Sequence, residues 1–92
     1  MKSQDPDSHR VDPEFYPRYV ALGSYVALMR KQKGMNQDAF AEYCGVATST
    51  IGNLEAPKAD KTFELDTLFR IARALGVDVV DMLSFELPKL GN

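Results

Sequence analysis

Two short helical patterns meet at one glycine in NQDAFAEYCGVATSTIGNLE, residues 36–55, and no other stretch of the chain restricts the fold as much. A tight crossing between consecutive helices needs a turn residue that reaches the left-handed region, which glycine enters without a Cβ clash. Gly45 stands at that point. Before it, Asn36 is placed to cap a helix of about eight residues with its side-chain oxygen, and Asp38 suits the positive end of that helix. Phe40, Ala41 and Cys44 fall on one face and turn inward. After it, residues 48–55 form a second pattern with Ile51 and Leu54 inward, Val46 plugs the angle between the two, and the small Ala41 lets them approach.

Three further helices complete the expectation. From Arg18 onward Leu22, Val26 and Met29 keep the spacing of one helical face, and Gly34 ends that helix after Arg30, Lys31 and Lys33, cations that suit a helix C-terminus. A loop, APKADKT, separates residues 48–55 from a fourth helix near residues 64–75. There Leu65, Leu68, Ile71, Ala72 and Leu75 share one face, Arg70 and Arg73 lie off it as a solvated face, and Gly76 closes it. Asp78 caps a fifth helix carrying Val79, Val80, Met82 and Leu83. No strand signal and no internal repeat interrupts this order. Residues 1–17 hold three prolines and four acids with almost no apolar period, so they read as a flexible tail in front of a domain at 18–87, with 88–92 as a C-terminal tail. VDPEF within the first tail also resembles translated cloning-site sequence. Removing residues 1–14 is therefore expected to leave the unfolding midpoint nearly unchanged.

Ninety-two residues allow one small domain and leave no room for a separate catalytic one. The apolar runs fall far short of the roughly 20 residues that span a bilayer, so no membrane association is expected. A single cysteine forms no internal disulfide, and the cytoplasm is the expected compartment. No nucleophile–base pair, metal-ligand cluster or phosphate loop is present in the pattern, so neither enzyme activity nor a cofactor nor a metal is expected. The formal net charge of −2 speaks against a nonspecific nucleic-acid coat. Specific binding to DNA stays compatible with it.

The segments LGSYVALMRKQKGMNQDAFAEYCGVATSTIGNLE and LDTLFRIARALGVDVVDML resemble the Cro/C1-type helix-turn-helix family of phage repressors and bacterial regulators, over about residues 22–83. The resemblance implies an all-α, compact five-helix, lambda-repressor-like DNA-binding domain. It also implies roles residue by residue. Gln37 matches the glutamine that holds a DNA phosphate, and Thr48, Ser49, Gly52 and Asn53 match the face of the recognition helix turned to base edges. Arg30 and Glu55 match a structural salt bridge between the first and third helices. Ala47 stands where the family carries a capping serine, which leaves Thr48 as the substitute cap, and Ala56-Pro57 replaces a polar residue followed by glycine.

Residues 36–55 hold three acids and no base, so attraction to phosphate must come from helix N-termini and from flanking cations, Lys58 and Lys61 first. The function expected is a sequence-specific transcriptional regulator of double-stranded DNA, binding a pseudo-palindromic site as a homodimer. Val80, Leu83, Phe85 and Leu87 extend past what so small a core can bury and are the expected dimer surface. The alternative is a protein-interaction or bridging module, or an antitoxin-type partner, on the same fold.

Overall fold

The computed structural model describes residues 10–87. Five helices follow in the expected order: α1 (Tyr16–Gln32), α2 (Gln37–Cys44), α3 (Thr48–Glu55), α4 (Leu65–Leu75) and α5 (Val79–Ser84), with no strand among the described residues. Asn36 Oδ1 accepts from the Ala39 N–H at 2.8 Å, and Gly45 closes α2 with φ 78°. That left-handed turn sends α3 off across α2, and Gly76 ends α4 in the same way. Asp78 caps α5 through the Val80 N–H.

Leu22, Val26, Phe40, Ala41, Cys44, Ile51, Leu54, Ile71, Ala72, Leu75 and Met82 form the buried core, so every helix contributes. Its tightest crossing is between α1 and α3. A Cβ on Gly23 would stand 1.9 Å from the Leu54 carbonyl oxygen, so the two backbones touch where only a hydrogen fits. None of the helices among the described residues is long and apolar enough to cross a membrane.

The domain starts earlier than the sequence suggests. α1 begins at Tyr16, not Arg18, and a 3₁₀ turn, Pro13–Phe15, precedes it with Asp12 as its cap. Val11 is buried at 6% exposure, and its N–H donates to the Ala59 carbonyl at 2.8 Å. The Asp-Pro pair that reads as tail composition is a cap followed by proline in the first turn, where proline's missing N–H costs nothing. Residues 11–17 thus pack with the folded unit, and removing 1–14 would take the buried Val11 and the 3₁₀ turn with it. The rest of the expected tail, residues 1–9, lies outside the described residues, as do 88–92.

Two side chains also differ from the reading. Leu65, expected inward, is 60% exposed, because the first residue of α4 precedes the turn that packs. Arg70 is exposed but engaged: its Nε donates to Asp66 at 2.6 Å and its Nη1 to the Gly45 carbonyl at 3.2 Å, tying α4 to the α2–α3 turn.

Candidate nucleic-acid interface

The exposed side of α3 begins at an open helix end. Ala47 is the N-cap and makes no side-chain cap; Thr48 is already the first helical residue and does not take over. The Thr50 N–H bonds the Ala47 carbonyl at 3.0 Å, and the Thr48 and Ser49 N–H groups before it have no side-chain cap, which is the arrangement that receives an anion. Thr48 and Ser49 are exposed beside them, and Gly52 and Asn53 follow one turn on, half-buried. Ser49 and Asn53, four apart, lie on one stripe, away from the buried Ile51 and Leu54.

The far end of α3 is locked to α1 and α2 by charge. Arg30 Nε donates to Glu55 Oε2 at 2.6 Å and Nη2 to Oε1 at 2.9 Å, while Nη1 reaches the Met35 carbonyl at 2.8 Å. Gln37 Nε2 adds a third hydrogen bond to Glu55, at 3.0 Å to Oε1. The pair's side chains are only 12% and 9% exposed. Burial pushes the Glu55 carboxyl up, but hydrogen bonds from Arg30 and Gln37, with the charges of Arg30 and Lys31, outweigh it and hold the group below its ordinary range. Glu55 is therefore a paired carboxylate, and one of the three acids of residues 36–55 presents no free charge to a polyanion.

Gln37 sits at the first position of α2, half-buried, with its Oε1 3.7 Å from where a Gly52 Cβ would stand. The glutamine thus bridges the start of α2 and the last turns of α3, leaving its second amide hydrogen for an outside acceptor. Room for a methyl group at Gly52 exists in the free fold, so the glycine is not demanded by packing. On the loop after α3, the Lys58 ammonium donates to Asn53 Oδ1 at 3.2 Å, and Lys61 is exposed.

Lys31 escaped the sequence reading. It lies exposed in the basic run at the end of α1, where a cation is already explained by the helix dipole, yet it follows Arg30 directly and its charge acts on Glu55. Lys33 instead lies over the Tyr43 ring, 5.3 Å from its centroid. Cys44 is buried, and desolvation pushes its thiol up to about 11 against the pull of Lys33, so it stays a neutral core residue. Among the described residues no three of His, Cys, Asp and Glu gather into a group that could hold a metal ion.

A family model described as Helix-turn-helix matches residues 26–82. No curated protein matches the chain in sequence. Among solved structures, the restriction-modification controller protein C.AhdI from Aeromonas hydrophila is similar with a TM-score of 0.64 at 23% identity, over 75% of this chain and 97% of that one. A hypothetical transcription factor, NHTF, from Neisseria gives a TM-score of 0.66 at 23% identity, over 89% and 86%. The clp gene regulator ClgR from C. glutamicum gives 0.57 at 29% identity, over 72% and 83%. At the two lower identities the likeness speaks for the fold.

Proposed function

The chain belongs to the helix-turn-helix family, and from that premise we propose that it is a DNA-binding transcription regulator that reads its site with α3 in the major groove. The observation that carries this is the Arg30–Glu55–Gln37 lock behind an uncapped, hydroxyl-lined start of α3. Three charge-assisted or amide hydrogen bonds fix the helix from behind, while its open front offers N–H groups to phosphate and the Ser49–Asn53 stripe to base edges. Asn53 carries the paired donor and acceptor that match adenine N6 and N7. Gln37 holds a phosphate, and Thr48, Ser49 and Gly52 line the approach. Lys58, Lys61 and Lys31 supply the Coulombic attraction.

The regulator acts as a homodimer, presenting two α3 helices to successive major grooves about 34 Å apart. Val80, Leu83 and Leu87, 64%, 43% and 44% exposed, offer the apolar surface. Leu83 also borders a groove with Tyr19, Phe63 and Leu68. Phe85, expected on the same surface, is half-buried: it packs its ring 5.2 Å from that of Tyr25 and braces the segment after α5 on α1. Selection of bound sequences from random duplex DNA tests the proposal. A symmetric enriched site is the expected result; no enrichment rejects it in favour of a protein-bridging role.

A further inference from the structure

Lys58 is bracketed by two hydrogen bonds from the N-terminal segment. The residue before it, Pro57, accepts at its carbonyl from the Tyr16 hydroxyl at 2.8 Å. The residue after it, Ala59, accepts from the Val11 N–H at 2.8 Å. Further along the loop the Phe63 ring lies 6.1 Å from that of Tyr19. All three contacts come from residues that precede the part of the chain matched by the family model, which starts at residue 26. They hold a loop that carries Ala56-Pro57 where the family resemblance calls for a polar residue and glycine.

What the bracket holds is a lysine aimed at the recognition helix. A lysine on a free loop loses much rotamer entropy when it is pinned to a partner, so by itself it would orient a neighbour weakly. With both flanking carbonyls fixed, the stem starts from a set place, and the ammonium reaches Asn53 Oδ1 at 3.2 Å. An asparagine amide can present either its oxygen or its nitrogen to a base, and the ammonium, a pure donor, accepts only the oxygen as neighbour. The second lone pair of that oxygen stays open for adenine N6, and the NH2 is turned to N7.

We propose that residues 11–16 are a positioning clasp for base readout: Val11 and Tyr16 fix the backbone on both sides of Lys58, and Lys58 fixes the orientation of the Asn53 amide. This rests on the reading of α3 as a DNA-recognition helix. Neither Val11 nor Tyr16 touches DNA in this scheme; they act through Lys58.

Tyr16→Phe removes one hydroxyl and keeps the ring. Its affinity for the selected operator should fall about fivefold, the scale of one lost neutral hydrogen bond. In a Lys58→Ala background the same change should cost less than twofold, since the residue it positions is gone. Operators altered at the Asn53 base pair should likewise show less than a twofold effect. An equal fivefold loss in both backgrounds, or no loss on the operator, overturns the clasp. If the wild-type chain selects no duplex, the DNA reading itself has failed, and amide exchange then decides the clasp separately. The Lys61 N–H, which donates to the Lys58 carbonyl at 3.2 Å, should exchange about fivefold faster in Tyr16→Phe while α4 amides keep their rates. Unchanged exchange at Lys61 overturns it.

Discussion

The Arg30–Glu55–Gln37 lock and the Lys58 loop lie against the same last turn of α3 and are held by opposite means. On the lock side the partners are charged, nearly excluded from water and bonded three ways to one carboxylate. On the loop side Lys58 and Asn53 meet at the surface through one hydrogen bond, and the loop backbone hangs from Val11 and Tyr16. Lock residues fall inside the stretch matched by the family model; the residues that hold the loop fall outside it. In the proposed reading the difference is a division of labour. Deep charge-assisted contacts set where the helix stands, and shallow ones from residues outside the family match set how its reading side chain is aimed. Breaking the first should cost stability, and breaking the second should cost discrimination.

The largest effect is expected where α1 meets α3 behind the lock. Gly23→Ala would place a methyl 1.9 Å from the Leu54 carbonyl oxygen, a backbone atom that cannot rotate aside. The helices must separate, and the overpacking should cost about 3 kcal/mol or more, read as a collapse of the chemical unfolding midpoint. A midpoint shift below about 1 kcal/mol would mean that the crossing yields easily and that the lock is not seated on a rigid base.

Next comes the lock itself. Glu55→Ala leaves the Arg30 guanidinium without its carboxylate and should cost about 2 kcal/mol at neutral pH, below the roughly 3–5 kcal/mol of a fully buried pair because the side chains keep about a tenth of their exposure. The sign of the pH dependence follows from the lowered carboxyl pKa. A group depressed in the folded state stabilises above its unfolded value, about 4.3 for glutamate, and loses that contribution as pH falls through the folded value. The gap between wild type and Glu55→Gln should therefore close in acid below about pH 4, by thermal unfolding followed across pH. A gap that stays constant down to pH 2 would show that the pair contributes through packing and not through ionisation.

Much of this was legible in the residues, and what was not has physical causes. Caps and left-handed glycines are local signals, so Asn36, Gly45, Gly76 and Asp78 mark the helix ends where the structure has them. The pairing of Arg30 with Glu55 came from the family resemblance, and the third partner, Gln37, emerges only in three dimensions. Gly23 was silent because a glycine within a helix looks like a weak helix position until the helix that crosses it is known. Asp12-Pro13 was read by composition when its order carried the information. Lys31 hid in a basic run that the helix dipole already accounted for.

On the loop side the expected losses move from stability to binding. Asn53→Ala should cost about 1 to 3 kcal/mol per half-site on the selected operator and far less once the base pair it reads is changed. Gln37→Ala should weaken every sequence by one common factor, because a phosphate contact carries no base information. Titrating both variants on single-base-pair substitutions of the operator separates the roles. A uniform loss for Asn53→Ala would move readout to Thr48, Ser49 or DNA shape. A smaller loss is expected from deleting residues 1–12: Val11 is buried, so about 1 kcal/mol of stability should go with it. A midpoint that does not move would put the segment's packing in question.

The smallest effect belongs to Lys31 and tests the lock side as a source of attraction. Lys31 is exposed in the last turn of α1, next to Arg30 of the lock, and its charge acts on Glu55. With Lys58 and Lys61 it gives three cations per subunit, about six for a dimer, and a slope of log affinity against log salt near −5. Lys31→Ala removes two of the six and should flatten the slope by about 2, with only a modest loss of affinity at moderate salt. Because the contact is to phosphate, the ranking of operators should be unchanged. Lys58→Ala should flatten the slope by a similar amount and also blur the ranking, since Lys58 touches Asn53. If Lys31→Ala leaves the slope where it was, the attraction comes from the loop side alone, and the lock contributes geometry without charge.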